Sequence, residues 1–304
     1  MRVAFWIAGR AEAEASFRVP VPDRDRPIIH DIGPQDKKTA MNKGSVTLSV
    51  ISHEQHSLVD ALIADLAGCE SRELARVVLT QNLPETPPST KGRRSPPGEV
   101  IRTRTPMGFG MNHNAAFRKC DTEYFAVVNP DIALMGNPFP ALIHHLRAGA
   151  GVAAPAVLEP DGRTADTARS LITPWELIRR RMPTYVPPEV PRWFAGMFLL
   201  FRSDAFASVG GFDEGFFMYC EDFDICARLR LAGWPLAFVP QVQVVHAAQQ
   251  LSHRSLRHFR WHLSSLARMW SSSNFWRYRS LVPQLEAEED AGRSALRPGP
   301  RSHS

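Results

Sequence analysis

This chain has little cysteine, no long apolar run and no internal repeat, and each shortage closes off a class of protein. Cys69, Cys120, Cys220 and Cys226 are the only thiols in 304 residues, and none stands at CxxC or another metal-binding spacing. That pattern excludes a disulfide-stapled scaffold and a cysteine-zinc module, and it points to a reducing cytoplasm. No apolar stretch approaches the ~20 residues needed to cross a bilayer. The opening MRVAFWIAGRAEAEASF has a short apolar run followed at once by acidic residues, against the pattern of a secretory signal. No nucleic-acid-reading motif accompanies the basic residues. The net charge of +5, with pI about 9.3, is therefore read as a bias toward nucleotides or phospholipid headgroups, with no nucleic-acid partner. From Ser252 to Arg279 there is no acidic residue at all.

What is present is the composition of an ordinary globular protein, 44% hydrophobic and 22% charged, long enough for one large domain or two small ones. Residues 1–44 are rich in Pro, Asp, Arg and Lys, lack periodicity and read as a disordered extension. Met41 is a candidate biological start. From Ser45 the pattern becomes regular. Val46 to Ile51, Arg76 to Thr80, Val100 to Arg102 and Tyr124 to Val128 read as strands, and Leu58 to Ala67, Asn112 to Cys120 and Pro138 to Arg147 as helices. Further on, Trp193 to Arg202 reads as one apolar strand and Asp222 to Leu231 as a helix stopped by Gly233 and Pro235. Leu236 to Pro240 and Val242 to Val245 are strand pieces that lead to His246. Strands alternating with helices imply an α/β fold with a Rossmann-like, mostly parallel central sheet flanked by helices. Ligands of such sheets bind beyond the carboxyl ends of the strands. This core is expected over residues 45–250, followed by a basic amphipathic helical region at 251–282 and a disordered tail at 283–304.

Three positions at element ends could carry chemistry. The apolar run Phe216 to Tyr219 leads into Glu221, Asp222 and Asp224, in the first turn of a helix. There the helix dipole favours the ionised carboxylate while apolar neighbours oppose it, a balance that suits a general base. The plainer alternative is an acidic N-terminal turn. Asp131, in Asn129-Pro130-Asp131, falls just past a strand, where a carboxylate can hold a hard divalent cation with its phosphates or simply belong to a turn. His246 ends the last strand on the same expected side.

Taken in order, SVISHEQHSLVDALIADL, VVLTQNLPE, PMGFGMNHNAAF, YFAVVNPDI, WFAGMFLLFRSDAFASVGGFDEGFFMYCEDFDICARLRLAGW and VVH resemble a family 2 glycosyltransferase of the rhamnosyltransferase-like branch. The resemblance covers about Ser45 to His246, and the GGFDEGFFMYCEDFDICARLRLAGW block is its most specific part. It implies a GT-A fold and inverting transfer of a sugar, rhamnose or a similar deoxyhexose, in bacterial surface polysaccharide assembly. The donor would be a dTDP- or UDP-linked nucleotide-sugar and the acceptor a saccharide or lipid-linked saccharide, with Mg²⁺ or Mn²⁺ as cofactor. By resemblance Asp222 is the base, with Glu221 beside it. Asp131 and His246 lie at the metal and diphosphate, and Asn129 is the first position of the metal motif. Ser52, His53, Asn82, Gly108, Gly110 and Asn112 fall at nucleotide-contacting positions. Gln81 departs from the pattern, since an aspartate is usual there. Asp224 is read as structural.

Two other functions compete with this one. A sugar-nucleotide nucleotidyltransferase should carry a basic glycine-rich loop after strand one, where this chain has Ser52-His53-Glu54-Gln55-His56. A non-catalytic saccharide- or partner-binding member would not need an intact Glu221-Asp222. After His246, Leu256, Phe259, Leu263, Leu266 and Trp270 recur at helical spacing among Arg254, Arg257, Arg260, Arg268, Arg277 and Arg279. That helix either packs its apolar stripe on the domain or lies on anionic lipid with Trp270, Phe275, Trp276 and Tyr278 near the headgroups. The second arrangement suits a protein peripheral to the inner face of the plasma membrane.

Overall fold

The computed structural model describes residues 44–85, 98–163, 167–182, 184–186, 188, 190–247 and 256–295. All but the last residue of the expected N-terminal extension, and the end of the expected tail from residue 296, lie outside the described residues, as does Arg254.

The first half is built from strand–helix alternation. β1 (Val46–Ser52), α1 (His56–Gly68), β2 (Leu74–Gln81), β3 (Gly98–Arg102), α2 (Phe109–Phe117) and β4 (Tyr124–Val128) follow one another. β1 lies parallel to both β2 and β4, and β3 adds parallel to β2. The short β5 (Ile132–Leu134), α3 (Phe139–Arg147) and β6 (Val152–Leu158) come next. They are followed by β7 (Ala168–Arg169), α4 (Pro174–Arg179), β8 (Trp193–Phe194), β9 (Phe198–Arg202), α5 (Ser203–Ser208), α6 (Glu221–Leu231) and β10 (Leu236–His246). The large sheet has the order β3-β2-β1-β4-β9-β6-β10-β5, and β7 pairs with β8 in a small ribbon of its own. β9 runs antiparallel between β4 and β6, and β5 antiparallel on the edge of β10. β10 lies parallel to β6.

β4 and β6 are apolar along their whole length because helices cover both faces of the sheet there. Side chains alternate between faces along a strand. Tyr124, Ala126 and Val128 join Leu48, Val50, Phe198 and Leu200 in a core with α1 and α3, while Phe125 and Val127 join Leu199 and Phe201 in a core with α5 and α6. A third cluster ties α6 to α7 (Leu256–Ser271) and α8 (Ser273–Ala295) through Phe223, Cys226, Leu266, Met269, Phe275 and Tyr278.

Several sequence expectations need correction. The apolar stretch from Trp193 is two strands, broken at Ala195-Gly196-Met197, where Met197 donates its N–H to Ala195 O. The pieces flanking Gln241 are one strand, β10, with an irregularity between Val239 and Gln243 that absorbs Pro240. The basic region is two helices that meet at Ser272. The second carries Pro283 and continues to Ala295, through a stretch whose composition suggested a disordered tail.

Candidate active site

The sheet's topology brings the candidate residues to one edge. Asp131 follows the carboxyl end of β4. Antiparallel β9 starts there, with Val128 opposite Phe198, and Asn129 N–H donates to Met197 O at 2.9 Å. One residue earlier, Gly196 N–H donates to Asp222 Oδ2 at 3.1 Å. Asp222 and Asp131 are therefore linked through a few residues of main chain. His246 arrives at the same edge because β10 is parallel to β6, and it stands opposite Ile132 in the β5–β10 pair. Ala247 N–H donates to Asp131 O at 2.8 Å and closes the corner.

Both oxygens of Asp222 accept main-chain donors, Oδ2 from Gly196 and Oδ1 from Phe223 N–H at 2.8 Å. Burial raises its pKa, while the Arg169 charge and these amides oppose the rise. Glu221 is buried beside it, with Oε2 unpartnered. Burial first, and the Asp222 charge second, push the Glu221 carboxyl well above the usual carboxylate range. Burial thus raises both carboxyls, and Asp222 is the member of the pair whose two oxygens are held by main-chain amides. The turn before them is strained: Tyr219 and Cys220 have φ of 73° and 66°, conformations that side chains other than glycine adopt at a cost. Asp224 spends its carboxylate on Arg228 Nε at 2.7 Å, and that guanidinium also donates to Val209 O and Gly211 O.

Asp131 Oδ2 lies 3.0 Å from His246 Nε2. The hydrogen bond to Asp131 holds the imidazole above its usual pKa, against the effect of burial. Asp131 Oδ1 and His246 Nδ1 are buried and unpartnered. Among the described residues no group of three or more His, Cys, Asp or Glu is arranged to hold a metal. Asp131 does offer one oxygen without other duties, and a single carboxylate oxygen fits a divalent cation whose remaining positions come from water and phosphate oxygens. His246, engaged through Nε2, would have to release Asp131 to share that cation.

The residues expected at the nucleotide fall into four kinds. Ser52 is buried; its hydroxyl donates to Glu85 Oε2 at 2.7 Å and accepts from Gln55 N–H at 3.1 Å. His53 is exposed. Asn82 and Asn112 pin the 103–108 loop: Asn82 exchanges two hydrogen bonds with Met107, and Asn112 donates to Met107 O and Gly108 O. Gly108 and Gly110 have packing reasons of their own. A Cβ on Gly108 would lie 2.7 Å from Phe217 O, and one on Gly110 would lie 2.7 Å from Phe212 Cβ. Gln81 is buried opposite Ser52, with its amide nitrogen unpartnered.

Sequence reasoning missed Glu85, Gly196, Arg169 and Trp193. Arg169 stacks on the Trp193 ring, 4.9 Å from its centre, and its charge reaches Asp222 from 53 positions earlier in the chain (222 − 169). No local pattern marks it. Glu85 had a weak signal, lying four residues after the position where a carboxylate is usual.

The profile of the glycosyl transferase family group 2 matches residues 170–285, from just before α4 into α8. The chain is 33% identical to the rhamnosyltransferase WbbL of Escherichia coli K12 over 210 residues, 57% of this chain and 76% of that protein. It is 27% identical to the N-acetylglucosaminyl-diphospho-decaprenol L-rhamnosyltransferase of Mycobacterium tuberculosis over 221 residues, 62% of this chain and 71% of that one. Among solved structures, GalNAc-T7 with UDP, GalNAc and Mn²⁺ superposes with a TM-score of 0.52 at 17% identity, over 68% of this chain and 44% of that one. Staphylococcus aureus TarS 1–349 gives 0.50 at 14% identity, over 66% of this chain and 60% of that one. These two likenesses show the fold, and the chain spans less than two thirds of either structure. The chain belongs to the group 2 glycosyl transferases, with a GT-A-like, Rossmann-type fold.

Proposed function

We propose that this protein moves a sugar, rhamnose or a similar deoxyhexose, from a dTDP- or UDP-linked nucleotide-sugar to an acceptor hydroxyl, with inversion at the anomeric carbon. The acceptor is a saccharide or lipid-linked saccharide of a bacterial surface polysaccharide. The observation that carries the reading is the Gly196 link, which sets a partly shielded carboxylate, Asp222, beside the Asp131–His246 pair on one edge of the sheet.

Asp222 accepts the proton of the acceptor hydroxyl as that oxygen bonds the anomeric carbon and the bond to the diphosphate breaks. The two amides fix the carboxylate's position, so little reorganisation is needed at the moment of reaction. Asp131 and His246 are the residues that would hold Mg²⁺ or Mn²⁺, which when bound supplies charge stabilisation to the departing diphosphate. Ser52, Glu85 and Gln81 form the nucleoside end. The unpartnered Oε1 of Glu85 offers the carboxylate that Gln81 does not, and the Gln81 amide adds a donor. His53, Asn129 and Arg169 complete the lining, and the pinned 103–108 loop shapes the wall.

A thermal-shift panel of sugar nucleotides tests the reading. A dTDP- or UDP-linked sugar should raise Tm in Mg²⁺ or Mn²⁺ and lose most of that effect in chelator. A panel with no response in any metal would argue for the non-catalytic alternative.

A further inference from the structure

α2 serves two parts of the molecule at once. Through Asn112, which donates to Met107 O and Gly108 O, it pins the loop expected at the nucleotide. Through Asn114 it grips the segment that leads to the acidic pair. Asn114 Oδ1 accepts Phe212 N–H at 2.9 Å, and Nδ2 donates to Phe212 O at 2.9 Å and to Glu214 Oε1 at 3.1 Å. The side-chain amide thus satisfies both main-chain groups of Phe212, as a strand partner would. The segment is shaped around it, since a Cβ on Gly211, whose φ is 71°, would lie 2.5 Å from Asn114 Oδ1. Further along, Phe109 N–H, in the first turn of α2, donates to Phe217 O at 2.9 Å. Arg228 holds the same segment at its start, through Val209 O and Gly211 O, and Ser265 at its end, through Met218 O. Beyond Met218 come the left-handed Tyr219 and Cys220, then Glu221 and Asp222.

We propose that Asn114 is a positioning residue, which fixes residues 211–217 so that the bend at Tyr219-Cys220 delivers Glu221 and Asp222 to one place against the Gly196 amide. A left-handed pair of side-chain-bearing residues persists only where the chain on both sides of it is held. After the bend α6 does the holding. Before it, anchors at the two ends of the segment would leave its middle free to swing, and the Phe212 and Glu214 contacts remove that freedom. The same helix also backs the second support of Asp222. A Cβ on Gly196, whose N–H meets Asp222, would lie 3.4 Å from Phe109 Cζ. The place requires an asparagine. Aspartate loses the donor and sets a second carboxylate beside Glu214, and alanine leaves both main-chain groups of Phe212 unpaired. The hold on the bend does not depend on the transferase reading; only its effect on turnover, through Asp222 as base, rests on that reading.

Two thiols report on the bend. Cys220 lies in it, is 6% exposed and has its thiol pushed up by burial, whereas Cys226 sits in the body of α6 and is 0% exposed. The test is N-ethylmaleimide labelling of the full chain well below Tm, read thiol by thiol by peptide mass spectrometry. Asn114→Ala should speed the labelling of Cys220 about tenfold or more and leave Cys226 within about twofold of the parent. A general loss of stability exposes both thiols together, so equal acceleration of the two overturns the proposal, as does an unchanged Cys220 rate. The double variant Asn114→Asp/Glu214→Gln keeps the acceptor for Phe212 N–H and gives the new carboxylate an amide to meet. It should label Cys220 about two- to fivefold faster than the parent, again without Cys226, and it carries the test where the alanine variant does not fold. Release of nucleoside diphosphate from a dTDP- or UDP-linked sugar, with water as acceptor, reads the effect on turnover. Asn114→Ala should lower kcat about 10- to 100-fold and leave KM for the sugar nucleotide within about twofold. Parental kcat in a chain whose Cys220 has opened overturns the positioning role. A parent chain that turns over no such sugar counts against the transferase reading and leaves the thiol rates to decide this one.

Discussion

Asp222 and Asp131 reach the same edge of the sheet by different means, one gripped by main chain and the other by a single imidazole. Asp222 has both oxygens occupied by amides, from the β8–β9 break and from its own helix. Asp131 has one oxygen on His246 and the other buried without a partner. A group held by backbone keeps its position whatever side chains surround it, and its work is to be placed. A group with an unspent oxygen is built to receive something. The contrast is what the proposed roles, base for Asp222 and ligand for Asp131, rest on.

Breaking the first half of this contrast should have the largest effect. Asp222→Asn removes the proton acceptor and lowers kcat by about 10²- to 10⁴-fold. It also sets an amide N–H₂ against the Gly196 or Phe223 N–H, which costs on the order of 1 kcal/mol of stability. Sugar-nucleotide binding should survive, and near-normal turnover would end the assignment. Asp131→Ala strikes the other half. The nucleoside diphosphate should bind about 10- to 100-fold more weakly in Mg²⁺ or Mn²⁺, and equally in chelator. Titrations identical to those of the parent chain in both conditions would contradict the ligand role.

A smaller effect, of opposite sign, sharpens the base assignment. Burial and Asp222 raise the Glu221 pKa in the folded state. Its stabilising contribution is therefore full below the unfolded pKa and is lost as pH rises through the folded one. Glu221→Gln removes that loss. It should stabilise the protein at and above neutral pH by on the order of 1–2 kcal/mol, and the gain should vanish in acid. Denaturation at a series of pH values reads it directly, and a loss of stability at neutral pH that fades toward acid would mean that Glu221 is ionised and paired.

Much of this arrangement is legible from residue order. Strands such as Tyr124–Val128 are apolar on both faces because both faces are covered, and α6 is bounded by its own acidic start and by Gly233. The two-residue β7 could not be read, since Ala168-Arg169 has no period to detect, and β8 was merged with β9 in one apolar run. Contacts made across the fold were also hidden, among them Arg169 on Trp193 and Glu85 on Ser52. Gly108 and Gly110 fall at nucleotide-contacting positions by resemblance, yet the Phe217 main chain and the Phe212 side chain already demand them. The apolar stripe of α7 reads as one face, but of its residues only Leu266 is buried, beside Met269, which the stripe did not include.

The left-handed residues Tyr219 and Cys220 have a consequence for how such enzymes diversify. The chain holds this unfavourable bend through His258, His262 and Ser265, which lie after the sheet is complete. The last helices are therefore not a cartridge that can be exchanged by itself. Trading them between relatives would loosen the bend that leads into Glu221 and Asp222 and, on the proposed reading, the aim of the base.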